Sequence, residues 1–260
     1  MHWHYQVTGW FGLHVLGNRL GWLALLKCSP TFKTLSEEAK EGATSRVVST
    51  YHAIGSAALA VYALMFEELA AEPVYAKSAY MPSVISFSLA YMVADVANEA
   101  RCHLRNIGYE ADMMSVVHHV LVCITGVLYH CTAPETYNYF MAMGVATEVS
   151  TPLVNARWFC VQLRFGSLAE TASGLAMMLG FGLVRLPLCL KCLSMGYAHR
   201  DAIVRSISAG GLGAAYSSMM WTCIAGVSAL NGYWFSLMVQ GFIDALRGAP
   251  TKDAVEKKES

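Results

Sequence analysis

Residues 113–130 read MMSVVHHVLVCITGVLYH, and this stretch decides how the fold is interpreted. It is apolar and long enough for a membrane-crossing helix, with two adjacent histidines, His118 and His119, near its beginning. Imidazole rings need hydrogen-bond partners, and polar groups at membrane depth usually face a protein interior or a wet cavity. The stretch therefore predicts a helix whose histidines face the inside of a protein rather than lipid.

The composition of the whole chain favours the same class. Of its 260 residues, 55% are hydrophobic and only 14% are charged, whereas soluble domains carry about a quarter charged residues. The 18 basic and 18 acidic residues give no net charge, and no concentrated basic face indicates a nucleic-acid partner. We therefore expect an all-α integral membrane protein that binds no nucleic acid.

The apolar stretches predict seven transmembrane helices. They lie at about residues 7–26, 46–66, 81–97, 113–130, 137–159, 172–193 and 219–243. The polar segment 27–45 is interpreted as a loop or an interfacial helix, and residues 194–206 as a loop. Most lysines and arginines then lie on one side, and the positive-inside rule places the C-terminus in the cytosol.

The fifth stretch is expected to be irregular. Pro152 has no N–H to donate to the carbonyl of Glu148, four residues earlier, so the helix should kink there.

Six of the seven stretches carry polar side chains at membrane depth. These residues are Arg46, Ser49, His52, Asp95, His118, His119, Glu148, Asn155, Arg157, Arg185 and Asn231. They either line a shared interior cavity or make structural hydrogen bonds between helices. Because so many helices contribute, the cavity is the favoured interpretation.

The pattern does not favour a metal site or another cofactor. Adjacent histidines point about 100° apart on a helix, and no H-x-x-x-H occurs. Cys189 and Cys192 form a lone C-x-x-C inside an apolar run, where cysteine commonly acts as a small hydrophobe. Ser49 with His52, or Cys123 with a histidine, lacks the glycine-framed setting of a nucleophile elbow.

Six segments, taken in order and spacing, resemble the TLC domain. They are RVVSTYHA (46–53), SLAYMVADV (88–96), VVHHVL (116–121), EVSTPLVNARW (148–158), FGLVRLP (181–187) and LNGYWFSLM (230–238). The sequence is most similar to small TLC-domain-containing transmembrane proteins, and less so to ceramide synthases and translocating-chain-associating membrane proteins. We therefore divide the chain into an N-terminal helix and polar loop (1–45), a TLC domain (46–246) and a polar tail (247–260).

The resemblance implies a barrel of six helices, the second to the seventh, with one additional N-terminal helix. It implies a lipid acyl chain inside the barrel, and His118 and His119 as a reactive pair with Asp95 and Glu148 as acidic partners. Arg46, Ser49, His52, Asn155, Arg185 and Asn231 complete the predicted cavity lining. The paired aspartates that follow the histidines in ceramide synthases are not reproduced, and Glu148 is the nearest acidic counterpart.

Two functional classes follow, and the sequence leaves open whether the protein is an enzyme. The first is a protein of the endoplasmic reticulum that binds, senses, transfers or processes a phospholipid, a sphingolipid or a fatty acyl group. The second is a non-catalytic subunit of a larger membrane complex that retains the fold and a bound lipid. A respiratory complex or ATP synthase of the mitochondrial inner membrane would be such an assembly.

Overall fold

The structure is a computed structural model that describes residues 3–105, 107, 113–132 and 136–247. These residues are mainly α-helical and contain no β-strand, which confirms the predicted all-α class. The α-helices are α1 (Trp3–Cys28), α2 (Pro30–Thr34), α3 (Glu37–Phe66), α4 (Met81–Leu104), α5 (Met113–Cys131), α6 (Asn138–Ala146), α7 (Thr151–Gln162), α8 (Ser167–Gly180), α9 (Leu186–Ala198), α10 (Arg200–Ser208) and α11 (Gly211–Leu246).

Four helical segments in the described part are long and apolar enough to cross a membrane. They are α3, α5, the continuous run from α8 to α9, and α11. These spans support the predicted integral membrane protein. The other predicted spans, α1, α4 and α6–α7, are of similar length but are more polar; Asp95 and Arg157 are examples.

Helix α3 begins earlier than the predicted span. The side chain of Ser36 accepts a hydrogen bond from the Ala39 N–H at 3.2 Å and caps the helix. Glu37 and Glu38 follow in the first turn, where the positive end of the helix dipole stabilises acidic side chains. Residues 37–45, part of the segment interpreted as a loop or an interfacial helix, therefore form the first turns of α3.

The loop predicted at 194–206 is wrong, because these residues belong mainly to α9 and α10. The turn comes later, at Gly210 and Gly211, whose φ angles of 75° and 69° are unfavourable for other residues. Residues 211–218, which precede the predicted seventh stretch and contain two glycines and two serines, form the first part of α11. Packing of α10 against α11, with the Ser206 and Ser217 hydroxyls 2.7 Å apart, offsets its weak helix propensity.

Two prolines mark irregular helix segments. A 3₁₀ turn, Thr147–Ser150, separates α6 from α7 just before Pro152, so the expected break is present. A π-helical turn, Phe181–Arg185, precedes Pro187. Pro187 cannot donate to the carbonyl of residue 183, and the Leu186 N–H bonds instead to the Phe181 carbonyl. Phe181 and Arg185 at the ends of this turn are both buried.

The helix contacts form a closed ring. Helix α3 contacts α4, α4 contacts α5, α5 contacts α11, α11 contacts α9, α9 contacts α6, and α6 contacts α3. Helices α7 and α8 pack on each other, and they contact α3 and α11 respectively. Helix α1 lies outside this ring against α3 and α4. It packs closely on α3 at Gly17, where an added Cβ would lie 2.9 Å from the Tyr51 ring.

Candidate functional site

A cavity of about 700 Å³ lies at the end of the ring where α3 and α5 begin and α4 and α11 end. We call it the polar cavity. Eight of the ten predicted site residues line it: Arg46, Ser49, Asp95, His118, His119, Glu148, Asn155 and Arg185. Side chains far apart in sequence are brought together because neighbouring helices of the ring run in opposite directions.

A second cavity, of about 110 Å³, lies deeper in the ring and is lined mainly by aliphatic, methionine and cysteine side chains. We call it the apolar cavity. It shares three lining residues with the polar cavity, namely Met92, His118 and Glu148. His118 and Glu148 therefore lie where polar surroundings give way to apolar ones.

His119 is held beside a carboxylate. Its Nδ1 lies 3.1 Å from Oδ2 of Asp95, although the ring is not aligned for a regular hydrogen bond along this line. The other carboxylate oxygen of Asp95 accepts a hydrogen bond from the Ser45 hydroxyl at 2.8 Å. Asp95 is thus fixed between α3 and α5, and it orients the second histidine of the pair.

His118 differs from its neighbour because no carboxylate of the described residues lies within ion-pair distance of it; its Nδ1 is buried and makes no hydrogen bond with them. The ring meets the Trp234 ring edge to face, with centroids 6.2 Å apart. A buried polar atom without a partner is costly. His118 is therefore a buried imidazole with an unpaired nitrogen in a wall shared by two cavities.

Glu148 is compensated by Arg185 rather than by a histidine. Its Oε1 lies 3.6 Å from Nη2 of Arg185, and its Oε2 accepts a hydrogen bond from Thr151 at 2.6 Å. Arg185 also donates to the hydroxyls of Ser150, at 2.7 Å, and Thr151, at 2.5 Å. The break before Pro152 therefore presents two hydroxyls and a carboxylate to one guanidinium group.

The remaining predicted residues support this wall. Asn231 is fully buried and does not line either cavity; its Oδ1 accepts from Arg185 at 3.3 Å. His52 lines the apolar cavity, stacks on Tyr91 with centroids 4.1 Å apart, and has its Nε2 3.2 Å from the Ser88 hydroxyl.

One wall of the polar cavity is built from α3 and α7. The Arg46 guanidinium lies 4.4 Å from the centroid of the Trp158 ring. Asn155 donates to the hydroxyls of Thr50, at 2.9 Å, and Ser49, at 3.2 Å. These contacts join two helices that are about a hundred residues apart in the sequence.

Other candidates lie elsewhere. Arg157 donates to the Glu170 carbonyl at 2.7 Å and links α7 to α8. The Cys189 sulfur accepts from Asn231 at 3.4 Å. Within the described ranges, no three His, Cys, Asp or Glu side chains are placed to hold a metal ion.

Sequence reasoning did not assign roles to Ser45, Thr151 and Trp158. Thr151 follows Glu148 by three residues, a spacing that places two side chains on one helix face. Ser45 carries no comparable signal, because its partner Asp95 is fifty residues away.

Comparison with known proteins agrees with the helical architecture. A family model described as the TLC domain matches residues 43–240. The chain belongs to the TLC-domain family. TLC domain-containing protein 4-A of Xenopus laevis is 27% identical over 252 residues, covering 94% of this chain and 92% of the relative. The Danio rerio TLC domain-containing protein 4-B is 28% identical, covering 78% and 75%.

The human TLC domain-containing protein 4 is also 28% identical to this TLC-domain chain, over 62% of the chain and 60% of the relative. No solved structure matches the chain significantly.

Proposed function

We propose that this TLC-domain protein binds a membrane lipid inside the helical ring, with the headgroup in the polar cavity and an acyl chain directed into the apolar cavity. The observation that carries the proposal is the position of His118 and Glu148 in the walls of both cavities. A lipid has the same two-part character, because a polar group is joined directly to a hydrocarbon chain. Binding sites of this kind are mostly apolar and use few polar groups to fix orientation.

In this proposal the protein crosses the membrane seven times. The ring of α3, α4, α5, α6–α7, α8–α9 and α11 forms a barrel around the two cavities, and α1 is the additional helix. The sequence of contacts from one helix to the next supports this arrangement. Two charged groups of the more polar spans, Asp95 and Glu148, face the interior, where their cost is lower than against lipid.

Within such a site, His118 is the group proposed to react. Its imidazole would accept a proton from a lipid hydroxyl or amine, as a general base does, once the buried Nδ1, which has no hydrogen-bond partner among the described residues, is reached by the lipid. His119 and Asp95 would position the pair, because a carboxylate fixes the orientation of an imidazole.

The test replaces His118 with alanine in the full-length protein. Lipids are extracted from the purified protein and measured by mass spectrometry. Turnover of the lipid that is found is then assayed. His130→Ala is the matched control, because His130 lies on the same helix outside both cavities, 3.1 Å from the Ser86 hydroxyl. We expect His118→Ala alone to lower lipid content or turnover while folding is retained.

A different outcome would favour the structural-subunit alternative. Unchanged lipid content and turnover in His118→Ala, together with loss of association with other membrane proteins, would contradict the lipid-handling proposal. Co-localisation with markers of the endoplasmic reticulum or of mitochondria separates the two predicted membranes.

A further inference from the structure

A third cavity, of about 180 Å³, lies outside the ring between α1, α3 and α4. We call it the α1 cavity. One face of α1 supplies His14 and Asn18, four residues apart, and Arg19 follows directly. Asp95 lines both this cavity and the polar cavity. The α1 cavity is thus a separate space behind the wall of the proposed lipid site.

Three polar side chains of α1 line this cavity, and each has a polar group without a regular hydrogen bond in the described part of the chain. The His14 residue is only 1% exposed, and its Nδ1 lies 2.6 Å from the Tyr51 hydroxyl. Its Nε2 is buried and makes no hydrogen bond with any residue that the structure describes. The Asn18 amide and the Arg19 guanidinium likewise make no hydrogen bond or ion pair within the described ranges.

The other charged groups in the wall are already engaged. Asp95 is occupied by Ser45 and His119. Arg101 donates to Glu41 at 2.6 Å and to Asn98 at 2.7 Å. Arg19 therefore supplies the uncompensated charge of the α1 cavity.

Arg19 is exposed, and in the proposed seven-crossing arrangement its depth in the membrane makes this charge significant. Arg19 precedes Lys27 by eight residues on the same helix, which corresponds to about 12 Å along the axis. A cation at such depth in a membrane is costly unless it reaches an anion or water. Exposed Leu16, Leu20 and Leu23 continue along α1 beside it and offer an apolar surface for a hydrocarbon chain.

We propose that the α1 cavity binds the oxyanion of a second lipid, with the Arg19 guanidinium and the Asn18 amide as donors and His14 in the wall beside them. The oxyanion is either the carboxylate of a fatty acid or the phosphate of a phospholipid, since both accept charge-assisted hydrogen bonds from a guanidinium group. The hydrocarbon chain lies along the leucines of α1. This site is distinct from the interior lipid site; it rests on the proposed crossing of the membrane by α1, and not on a lipid inside the ring.

The test uses full-length protein in phosphatidylcholine nanodiscs and three photoactivatable probes. These are palmitic acid, phosphatidic acid and, as a neutral probe, diacylglycerol. Labelled peptides are identified by mass spectrometry. We expect the palmitic acid or the phosphatidic acid probe to label α1, which identifies a carboxylate or a phosphate, and the neutral probe to label it far less. Equal labelling by diacylglycerol, or no labelling by either anionic probe, would overturn the proposal.

Variants locate the interaction. Arg19→Gln is expected to reduce anionic labelling of α1 about tenfold, as the loss of one charge-assisted contact implies. Asn18→Leu is expected to reduce it by a smaller factor, and Lys27→Gln, on the same helix but outside the α1 cavity, to leave it unchanged. His118→Ala should also leave it unchanged, so that failure here is distinguishable from failure of the interior site. Unchanged labelling in Arg19→Gln refutes the assignment.

Discussion

Replacing Arg185 with methionine tests how the buried carboxylate of Glu148 is held in place. The Oε1 to Nη2 distance of 3.6 Å corresponds to about 4.6 kcal/mol of attraction at an effective dielectric constant of about 20. Arg185→Met removes this attraction and leaves Glu148 with the Thr151 hydroxyl. Removing one member of a buried ion pair and leaving the other unpaired costs about 3–5 kcal/mol of stability. Replacing both members with neutral residues leaves no unpaired charge.

The measurement is thermal unfolding of purified protein in detergent, followed by tryptophan fluorescence. At about 2–4 °C per kcal/mol for a chain of this size, Arg185→Met should lower the Tm by about 10 °C. The double variant Glu148→Gln/Arg185→Met should recover roughly half of this loss, because the carboxylate is absent. A double variant as unstable as Arg185→Met alone would refute the reasoning, because removal of the stranded carboxylate would then bring no recovery.

Two further predictions concern helix α1 and the topology. Gly17→Ala should destabilise the protein by about 1–3 kcal/mol because its Cβ would meet the Tyr51 ring. Gly9→Ala, whose Cβ would meet open space, should not lower the Tm. Equal Tm values for the two variants would contradict the packing of α1. Lys77→Cys and Arg164→Cys, in a background without the exposed Cys28 and Cys131, should react with a membrane-impermeant maleimide from opposite sides of sealed vesicles. Labelling from one side would contradict seven crossings.

Local features of this fold could be predicted from the sequence where a single residue determines the backbone conformation. Pro152 lacks a donor N–H, and the regular helix is interrupted just before it. The polar side chains in apolar stretches predicted a common interior, and eight of them line the polar cavity. Burial of such groups is so costly that few arrangements satisfy them.

Other features depended on tertiary contacts that no local pattern contains. Arg185 could have compensated either acid, and its pairing with Glu148 follows from the π-helical turn and the position of α7. The helicity of residues 200–208 was missed because the segment is polar and followed by glycines, and packing against α11 stabilises it. The predicted tail beyond residue 247 lies outside the described residues.

The central claim is that one lipid occupies both interior cavities. An experimental density map of the full-length protein in lipid nanodiscs tests it most directly. We predict continuous density for a hydrocarbon chain among Met92, Val122 and Leu188 in the apolar cavity, with its polar end within hydrogen-bond reach of His118 or Glu148. A map in which the apolar cavity is closed by side chains, or in which the polar end of the lipid lies away from both residues, would contradict the claim.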